Sequence, residues 1–261
     1  VWTERENGLP RLIIKNRSSS EEHLIHFEEE AYAIGFLGAH EYYTDTFRFS
    51  YSSPRTPEKI FAYNMKDNSR KLLKTQEIPS GHREEDYCVK RLMVKAEDGE
   101  SIPVTLYWHK ETPLDGTAPC LLYGYGAYGI SISAHFSSST LSLVNRGFIY
   151  AIAHIRGGKE CGTRWYEEGK LKHKKNSFTD FIQVGRYLVQ QGFTQHDKIV
   201  AFGGSAGGML MGAVANMAPQ DFRAIVALVP FVDVLNTMLD ASLPLTPPEW
   251  QEWGNPLKSA E

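Results

Sequence analysis

The 261-residue chain is 42% hydrophobic and 23% charged, and its 28 Lys and Arg against 31 Asp and Glu give a formal net charge of −3. This composition excludes a disordered segment, and the near-neutral balance provides no electrostatic surface for nucleic acid. No apolar run approaches the roughly 20 residues of a membrane helix, and the polar N-terminus has no signal-peptide core. We therefore predict a cytoplasmic protein with neither nucleic acid nor a membrane as a partner.

The cysteines and histidines indicate neither disulfides nor a metal site. Cys88, Cys120 and Cys161 are far apart and form no C-x-x-C pair. An odd number of scattered cysteines is typical of a reducing compartment. No spacing of His, Asp or Glu suits a metal ion, so we expect no metal and no other cofactor.

Residues 1–85 consist of short alternating runs separated by polar turns, which predicts antiparallel strands. Phe47, Phe49 and Tyr51 alternate with polar residues, as expected for a half-buried strand. The polar turn 65–69 between two such runs indicates a hairpin. The predicted strands are Pro10–Lys15, His23–Phe27, Ala31–Leu37, Thr46–Tyr51, Lys59–Asn64 and Arg70–Thr75. Serial strands at this spacing favour a sandwich or propeller blades.

From residue 86 onward strands alternate with helices, which predicts a doubly wound α/β sheet. The predicted strands are Ile102–His109, Pro119–Tyr123, Phe148–His154, Lys198–Phe202 and Ala224–Val229. The predicted helices are Ser138–Arg146, Ser177–Gln191 and Ala206–Met217. Ser177 and Asp180 fit a capping box, and Gly192 fits the end of the same helix. The apolar run 224–229 is expected to be a buried strand.

The segment Gly203–Gly208 contains G-x-S-x-G between a predicted strand and a predicted helix. This pattern is typical of a nucleophile elbow, a turn so sharp that the residues two positions before and after the serine must be glycine. Such a turn directs the N–H of Ala206 toward a developing oxyanion, near the positive end of the following helix. Ser205 is therefore the candidate nucleophile.

This turn has two other interpretations. A phosphate-binding loop would need G-x-G-x-x-G or G-K-[ST], and neither pattern is present at Ser205. A purely structural glycine-rich turn is the remaining alternative.

Two further glycine-containing loops follow predicted strands. Residues 123–129 read Tyr-Gly-Tyr-Gly-Ala-Tyr-Gly, and Arg156 is followed by two glycines. Loops at the carboxyl ends of parallel strands build the site in this architecture. A tyrosine hydroxyl in the first loop is a candidate oxyanion donor, with aromatic packing as the alternative. Arg156 is a candidate substrate-binding residue.

Together these segments resemble the prolyl oligopeptidase family of serine peptidases, and the resemblance extends over about residues 27–256. It rests on Tyr123–Gly129, Ile155–Gly158, the stretch 165–180 and Gly203–Gly208. Two later segments, Pro230–Val234 and 243–256, are similar to the oligopeptidase B branch of that family.

The resemblance implies a fold and an activity. Residues 1–85 would be the last strands of a β-propeller, and residues 86–261 the front part of an α/β-hydrolase domain that is incomplete at its C-terminus. The implied enzyme cleaves short peptides after Lys or Arg through an acyl-enzyme on Ser205. Its implied substrate is therefore a short peptide.

The resemblance also implies a role for each site residue. The Ala206 N–H and the Tyr125 hydroxyl would form the oxyanion hole for the ester on Ser205. Tyr128 would be a wall of the substrate pocket, and Glu249 would pair with the basic side chain of the substrate. Without the resemblance, Glu249 would be interpreted as a solvated surface acid.

The chain departs from oligopeptidase B at four positions. The second acid of the pocket is Gln251, and two aspartates expected after the tyrosine loop are Ser133 and His135. The third glycine of an R-G-G-G loop is Lys159. Fewer acids weaken the case for strict specificity toward Lys or Arg.

A serine nucleophile needs a base, and in this fold the triad acid and histidine follow the serine in the chain. No histidine follows Ser205. His154 and His135 precede it and do not occupy the position where the fold places its base. We therefore expect an incomplete chain, for which a separately encoded C-terminal segment is a candidate partner. A silent remnant or binding module is the competing hypothesis, and an esterase of the same fold is a third.

Overall fold

The computed structural model describes residues 1–38 and 41–259, and its first strands form a small antiparallel sheet. These strands are β1 (Trp2–Glu6), β2 (Leu9–Lys15) and β3 (Glu22–Leu24). The sequence of β1 shows no alternation of polar and apolar residues, so no strand was predicted there. All of its side chains are exposed in the structure. β3 ends before its predicted limit, and Phe27 instead stacks on Tyr51 with ring centroids 4.9 Å apart.

The next strands form a four-stranded antiparallel meander with an aromatic core. They are β4 (Ala33–Leu37), β5 (Thr46–Ser52), β6 (Lys59–Asn64) and β7 (Arg70–Thr75). The predicted alternation is confirmed in β5, where Phe47, Phe49 and Tyr51 are buried. The predicted hairpin is also confirmed, because β6 and β7 pair antiparallel on either side of the polar turn.

A six-stranded sheet begins at Tyr87. Its strands are β8 (Tyr87–Lys95), β9 (Ser101–His109), β10 (Cys120–Gly124), β11 (Ile149–Ala153), β12 (Ile199–Gly204) and β13 (Ala224–Leu228). Their spatial order is β13-β12-β10-β11-β9-β8. Pairing is parallel from β13 to β11 and antiparallel at β9 and β8. Since β10 and β12 are parallel neighbours, the loops after Gly124 and Gly204 leave the same end of the sheet.

Helices follow the parallel strands. They are α1 (Ser138–Val144), α2 (Thr163–Glu167), α3 (Lys175–Gln190), α4 (Ala206–Met217), α5 (Val234–Leu239) and α6 (Thr246–Trp253). The main core joins strand residues to α3 and α4, with Phe181 and Val214 fully buried against the sheet. The sequence predicts α1, α3 and α4, whereas α2, α5 and α6 were not predicted.

The predicted capping box is wrong. α3 begins at Lys175, and the residue that precedes it makes no side-chain capping bond. Ser177 lies inside the helix, and its hydroxyl donates to the carbonyl of Arg156 at 2.7 Å. Asp180 is fully buried and also binds Arg156. The two side chains are used in tertiary contacts, so they are unavailable to the helix terminus.

The prediction of a buried strand at residues 224–229 is wrong in its burial. β13 pairs with β12 on one side only and forms the edge of the six-stranded sheet. Four of its five residues are exposed, and Val226 and Leu228 keep 45% and 55% of their surface. An apolar run indicates that a strand is suited to burial, but it does not indicate whether another element of the structure covers that strand.

Three observations concern membrane helices, cysteines and metal ligands in residues 1–38 and 41–259. No helix there is both long and apolar enough to span a bilayer. Cys88, Cys120 and Cys161 are free thiols. No group of three His, Cys, Asp or Glu side chains in the described residues is arranged to hold a metal ion.

Candidate active site

Ser205 lies at a sharp turn between β12 and α4. Its φ of 56° and ψ of −119° are in a region that residues other than glycine rarely adopt. Such strain persists only where the surroundings enforce it, and it concentrates at functional sites. The Ser205 N–H donates to the Leu228 carbonyl at 3.0 Å, and its carbonyl accepts from Phe231 at 3.0 Å. The residue is nevertheless exposed, so its hydroxyl is accessible to a substrate.

Contacts too close for a side chain explain the glycines around Ser205. A Cβ at Gly203 would lie 2.3 Å from the Gly207 carbonyl oxygen. One at Gly207 would lie 2.8 Å from the Gly124 carbonyl oxygen, and one at Gly208 would lie 2.5 Å from the backbone of Pro230. The backbone thus closes on itself at the turn, as a nucleophile elbow requires.

The backbone N–H of Ala206 belongs to the first turn of α4. The N–H groups in this turn have no partner within the helix, and the helix dipole adds partial positive charge there. Ala206 is buried beside the exposed Ser205. This position provides a donor next to the serine, at the end of the helix where negative charge is stabilised.

Tyr125 is brought to Ser205 by the pairing of β10 with β12. Its hydroxyl interacts with the Ser205 side chain. Burial raises the pKa of Tyr125, and the interaction with Ser205 acts in the opposite direction. The tyrosine therefore remains protonated at neutral pH and can donate a hydrogen bond.

The loop that carries Tyr125 is tightly packed. Gly126, Tyr128 and Gly129 all have positive φ, at 67°, 58° and 63°. A Cβ at Gly126 would lie 2.6 Å from the Ile155 side chain. The loop conformation orients Tyr125 and Tyr128 toward the same region, with their ring centroids 6.4 Å apart.

Glu249 is held by two aromatic side chains. It accepts hydrogen bonds from the Tyr128 hydroxyl at 3.0 Å and from the Trp253 indole N–H at 2.9 Å. The same indole N–H lies 3.2 Å from the Tyr128 oxygen. We call Tyr128, Glu249 and Trp253 the acidic pocket. The role of Trp253 in this site was not predicted from the sequence. The signal that could have indicated it is the position of Trp253 one helical turn after Glu249.

Arg156 does not fit its predicted substrate-binding role. Its side chain is only 3% exposed and forms a bidentate pair with Asp180, at 2.9 and 2.6 Å. The remaining guanidinium nitrogen binds Asp98. Because carboxylates of the chain itself occupy the guanidinium, Arg156 holds its own loop in place rather than facing a ligand.

The positions that differ from oligopeptidase B are at the surface. Gln251 is exposed on α6, and Lys159 is exposed with its ammonium 5.4 Å from the Tyr166 ring centroid. His135 is exposed, with Nδ1 3.2 Å from the Ser133 carbonyl oxygen. None of these side chains adds a negative charge beside Glu249.

The upstream histidines weighed as bases have other partners. His154 is 2% exposed, with Nε2 2.9 Å from the Thr105 hydroxyl and Nδ1 3.5 Å from Glu160. Burial lowers its pKa. His135 lies in the loop before α1, bonded within that loop. Among the contacts of the described residues, neither histidine is hydrogen-bonded to Ser205.

Two family profiles match the sequence. Residues 134–261 match the profile described as "Prolyl oligopeptidase family", and residues 1–76 match "Prolyl oligopeptidase, N-terminal beta-propeller domain". The first match includes the part of the α/β region that contains Ser205, and the second includes the two antiparallel sheets that precede that region.

Individual proteins are similar over nearly the whole chain. Dipeptidyl aminopeptidase BI from Pseudoxanthomonas mexicana is 48% identical over 98% of the chain, which spans 35% of that protein. Protease 2 from Moraxella lacunata is 38% identical over 98% of the chain, which spans 37% of that protein. The solved structure of oligopeptidase B from Leishmania major superposes with a TM-score of 0.91 at 40% identity, covering 97% of this chain and 37% of that one. The chain thus spans about a third of the length of these relatives.

Proposed function

This chain belongs to the prolyl oligopeptidase family, with strands of the N-terminal β-propeller domain followed by the start of the α/β-hydrolase domain, and we propose that it is part of a serine oligopeptidase. The observation that carries the proposal is the strained turn at Ser205, which presents an exposed hydroxyl beside the hydroxyl of Tyr125. A domain boundary at residue 85 and a cytoplasmic location belong to the same proposal.

In the proposed reaction the Ser205 oxygen attacks the carbonyl carbon of a peptide bond. The serine proton passes to a general base, and the carbonyl oxygen becomes a tetrahedral oxyanion. The Ala206 N–H and the Tyr125 hydroxyl donate hydrogen bonds to that oxyanion. The intermediate collapses as the amine leaves with the proton from the base, and water then hydrolyses the acyl-enzyme ester.

The acidic pocket supports specificity for Lys or Arg on the acyl side of the cleaved bond. Tyr128 joins the pocket to the loop of Tyr125, so Glu249 lies beside the loop whose tyrosine interacts with Ser205. A carboxylate held by two N–H or O–H donors keeps lone pairs for a cation. A guanidinium or ammonium group in this pocket would gain a charge-assisted hydrogen bond.

The general base of this proposal is a histidine outside the 261 residues. The described candidates His154 and His135 have other partners, and α/β-hydrolases place the triad acid and base after the nucleophile. A separately supplied C-terminal segment is therefore the proposed partner for catalysis.

A second candidate is a peptide-binding module of the same fold that binds basic peptides without turnover. The engagement of His154 with Thr105 and Glu160 favours it for the chain acting alone. Both candidates share the acidic pocket and differ only in the reactivity of Ser205.

Labelling with a fluorophosphonate probe distinguishes the two candidates. The chain is treated alone and with a separately produced C-terminal peptidase segment that carries an Asp and a His. The oligopeptidase proposal expects labelling of Ser205 in the mixture and none in Ser205→Ala. Peptide mapping of the labelled residue identifies the site.

Absence of labelling in both preparations would reject the oligopeptidase proposal and leave the binding module. Blocked Arg and Lys amides, compared with a blocked Phe amide, then test specificity in the labelled preparation. Hydrolysis of esters without hydrolysis of amides would instead indicate an esterase.

A further inference from the structure

A largely buried lysine lies between the tyrosine loop and α6. Lys174 donates through Nζ to the carbonyl oxygens of Gly126 and of Gly169, the latter at 3.1 Å. Its Nζ also lies 3.8 Å from Glu252 and 5.1 Å from the centroid of the Trp253 ring. The side chain is only 13% exposed. Its ammonium group contacts three segments of the chain.

Glu252 needs the charge of Lys174. It is 2% exposed, neither of its carboxylate oxygens has a well-aligned hydrogen bond within the described residues, and its neighbours are the Lys174 ammonium and the Tyr166 hydroxyl. A buried carboxylate without a counter-charge is costly, and removal of one member of a buried ion pair leaves the other uncompensated. Lys174 therefore provides the positive charge that offsets the cost of burying the Glu252 carboxylate on α6.

Both ends of this ion pair adjoin the acidic pocket. Gly126 lies in the loop between Tyr125 and Tyr128 and accepts from Lys174. On α6, Glu252 precedes Trp253, whose indole N–H donates to Glu249. The ammonium thus connects the loop that provides one donor to Glu249 with the helix that carries Glu249 and the other donor.

We infer that Lys174 is a positioning residue of the acidic pocket, which sets the separation of Glu249 from Tyr128 through its contacts with Gly126 and Glu252. The inference rests on the proposed function in that the pocket is taken to bind a basic substrate side chain. Lys174 itself does not contact the substrate. It acts through Glu249.

The charge of Lys174 depends on pH in an accessible range. Burial lowers the pKa of Lys174 to about 8, while Glu252 acts in the opposite direction. Since the pKa is lowered, the ion pair is complete below about pH 8 and is lost as the pH rises through that value. We therefore expect the pocket to loosen in mildly alkaline solution.

Several ionisable groups lie on the elements packed around the ion pair. They include Tyr125, Tyr128, Tyr166, Glu249 and Glu252, and the segment of Gly169 also carries Glu167, Glu168 and Lys170. Burial raises the pKa of each of the three tyrosines above the ordinary value of 10.0, so they remain neutral. On the segment of Lys174 itself, His173 and Lys175 are exposed.

Binding of 4-aminobenzamidine, a fluorescent amidinium probe, tests the inference. Affinity is measured at about pH 7 and about pH 9.5, on either side of the Lys174 transition, where the probe remains cationic. We expect the wild-type affinity to fall about tenfold at the higher pH, and Lys174→Met to be about tenfold weaker at both. Lys174→Arg should resist the alkaline loss, because a guanidinium keeps its proton. Lys175→Met, an exposed neighbour, should behave as wild type.

The sign of the effect separates positioning from simple repulsion. A nearby cation that only repelled the probe would make Lys174→Met bind more tightly. Unchanged or tighter binding by this variant, with the fold intact by circular dichroism, would therefore overturn the inference.

A second measurement does not depend on the probe. The indole ¹⁵N–¹H resonance of Trp253, assigned with Trp253→Phe, should shift with a midpoint at about pH 8 in wild type. It should not do so in Lys174→Met. If 4-aminobenzamidine binds equally to wild type and Glu249→Gln, the proposed specificity fails while this resonance still decides the role of Lys174. A resonance that does not move, or that moves equally in Lys174→Met, overturns the inference.

Discussion

The elbow at Ser205 and the acidic pocket at Glu249 are built in opposite ways. The elbow is made by consecutive residues, Gly203–Gly208, in which a Cβ at the first, fifth or sixth position would lie within 2.8 Å of backbone atoms. The pocket joins Tyr128 and Glu249, which are 121 residues apart, through side-chain hydrogen bonds. One feature is therefore enforced by backbone sterics, and the other depends on how distant elements pack.

This difference has energetic consequences. A backbone turn closed by steric contact has few alternative conformations, so a misplaced Cβ is costly. A pocket made of long side chains must hold several rotamers in place and can relax after a substitution. We expect changes in the elbow to affect folding and changes in the pocket to affect mainly ligand affinity.

The largest expected effect is that of Gly203→Ala on stability. The new Cβ would lie 2.3 Å from the Gly207 carbonyl oxygen, and both atoms belong to the backbone of the turn. We expect the free energy of unfolding to fall by about 3 kcal/mol in chemical denaturation. Gly204→Ala is the matched control, because its nearest neighbour is an ordinary contact at 3.5 Å. Equal losses in the two variants would contradict the steric account of the elbow.

Tyr125→Phe should have the next largest effect. It removes one oxyanion donor while the ring remains in place, so fluorophosphonate labelling of Ser205 should slow about 100-fold. Tyr123→Phe removes a hydroxyl from the preceding strand, β10, and should label at nearly the wild-type rate. The measurement is the labelling rate in the preparation where Ser205 reacts. A rate for Tyr125→Phe equal to that of Tyr123→Phe would remove Tyr125 from the oxyanion hole.

Glu249→Gln should have the smallest of the three effects. It keeps the shape of the pocket and removes the charge, so the affinity for 4-aminobenzamidine should fall about 30-fold, measured by fluorescence titration. Glu28→Gln removes one charge from an exposed position of the strand region and controls for net charge. Loss of affinity in the control as well would indicate a general electrostatic effect rather than a pocket.

Most regular elements followed from the sequence. β6, β7 and α4 begin and end where the pattern predicts, since period and flanking turns were both present. β1 and β8 were not predicted, because their residues show no clear alternation of polar and apolar side chains. Their pairing with a neighbouring strand uses backbone atoms, which the side-chain pattern does not reveal. The apolar composition of β13 predicted a strand but not its exposure at the sheet edge.

The sequence likewise predicted some residues of the candidate site and missed others. Ser205 and Ala206 followed from a local motif, and Tyr125 lies beside Ser205 as the resemblance implied. Arg156 was assigned to substrate because the sequence does not show that Asp180 and Asp98 occupy its guanidinium. Trp253 and Lys174 were not identified, since their roles depend on partners in other segments of the chain.

Local sequence was sufficient to predict the strand–turn–helix around Ser205, because the glycine spacing marks the turn, although the backbone atoms that exclude a Cβ at Gly207 and at Gly208 belong to remote segments. The tertiary structure decided which polar groups meet across the fold. Glu249 became part of a pocket, and Arg156 became an internal ion pair. The physical reason is that a hydrogen bond or ion pair depends on atoms within a few ångströms, and distances between remote segments exist only once the sheet has formed.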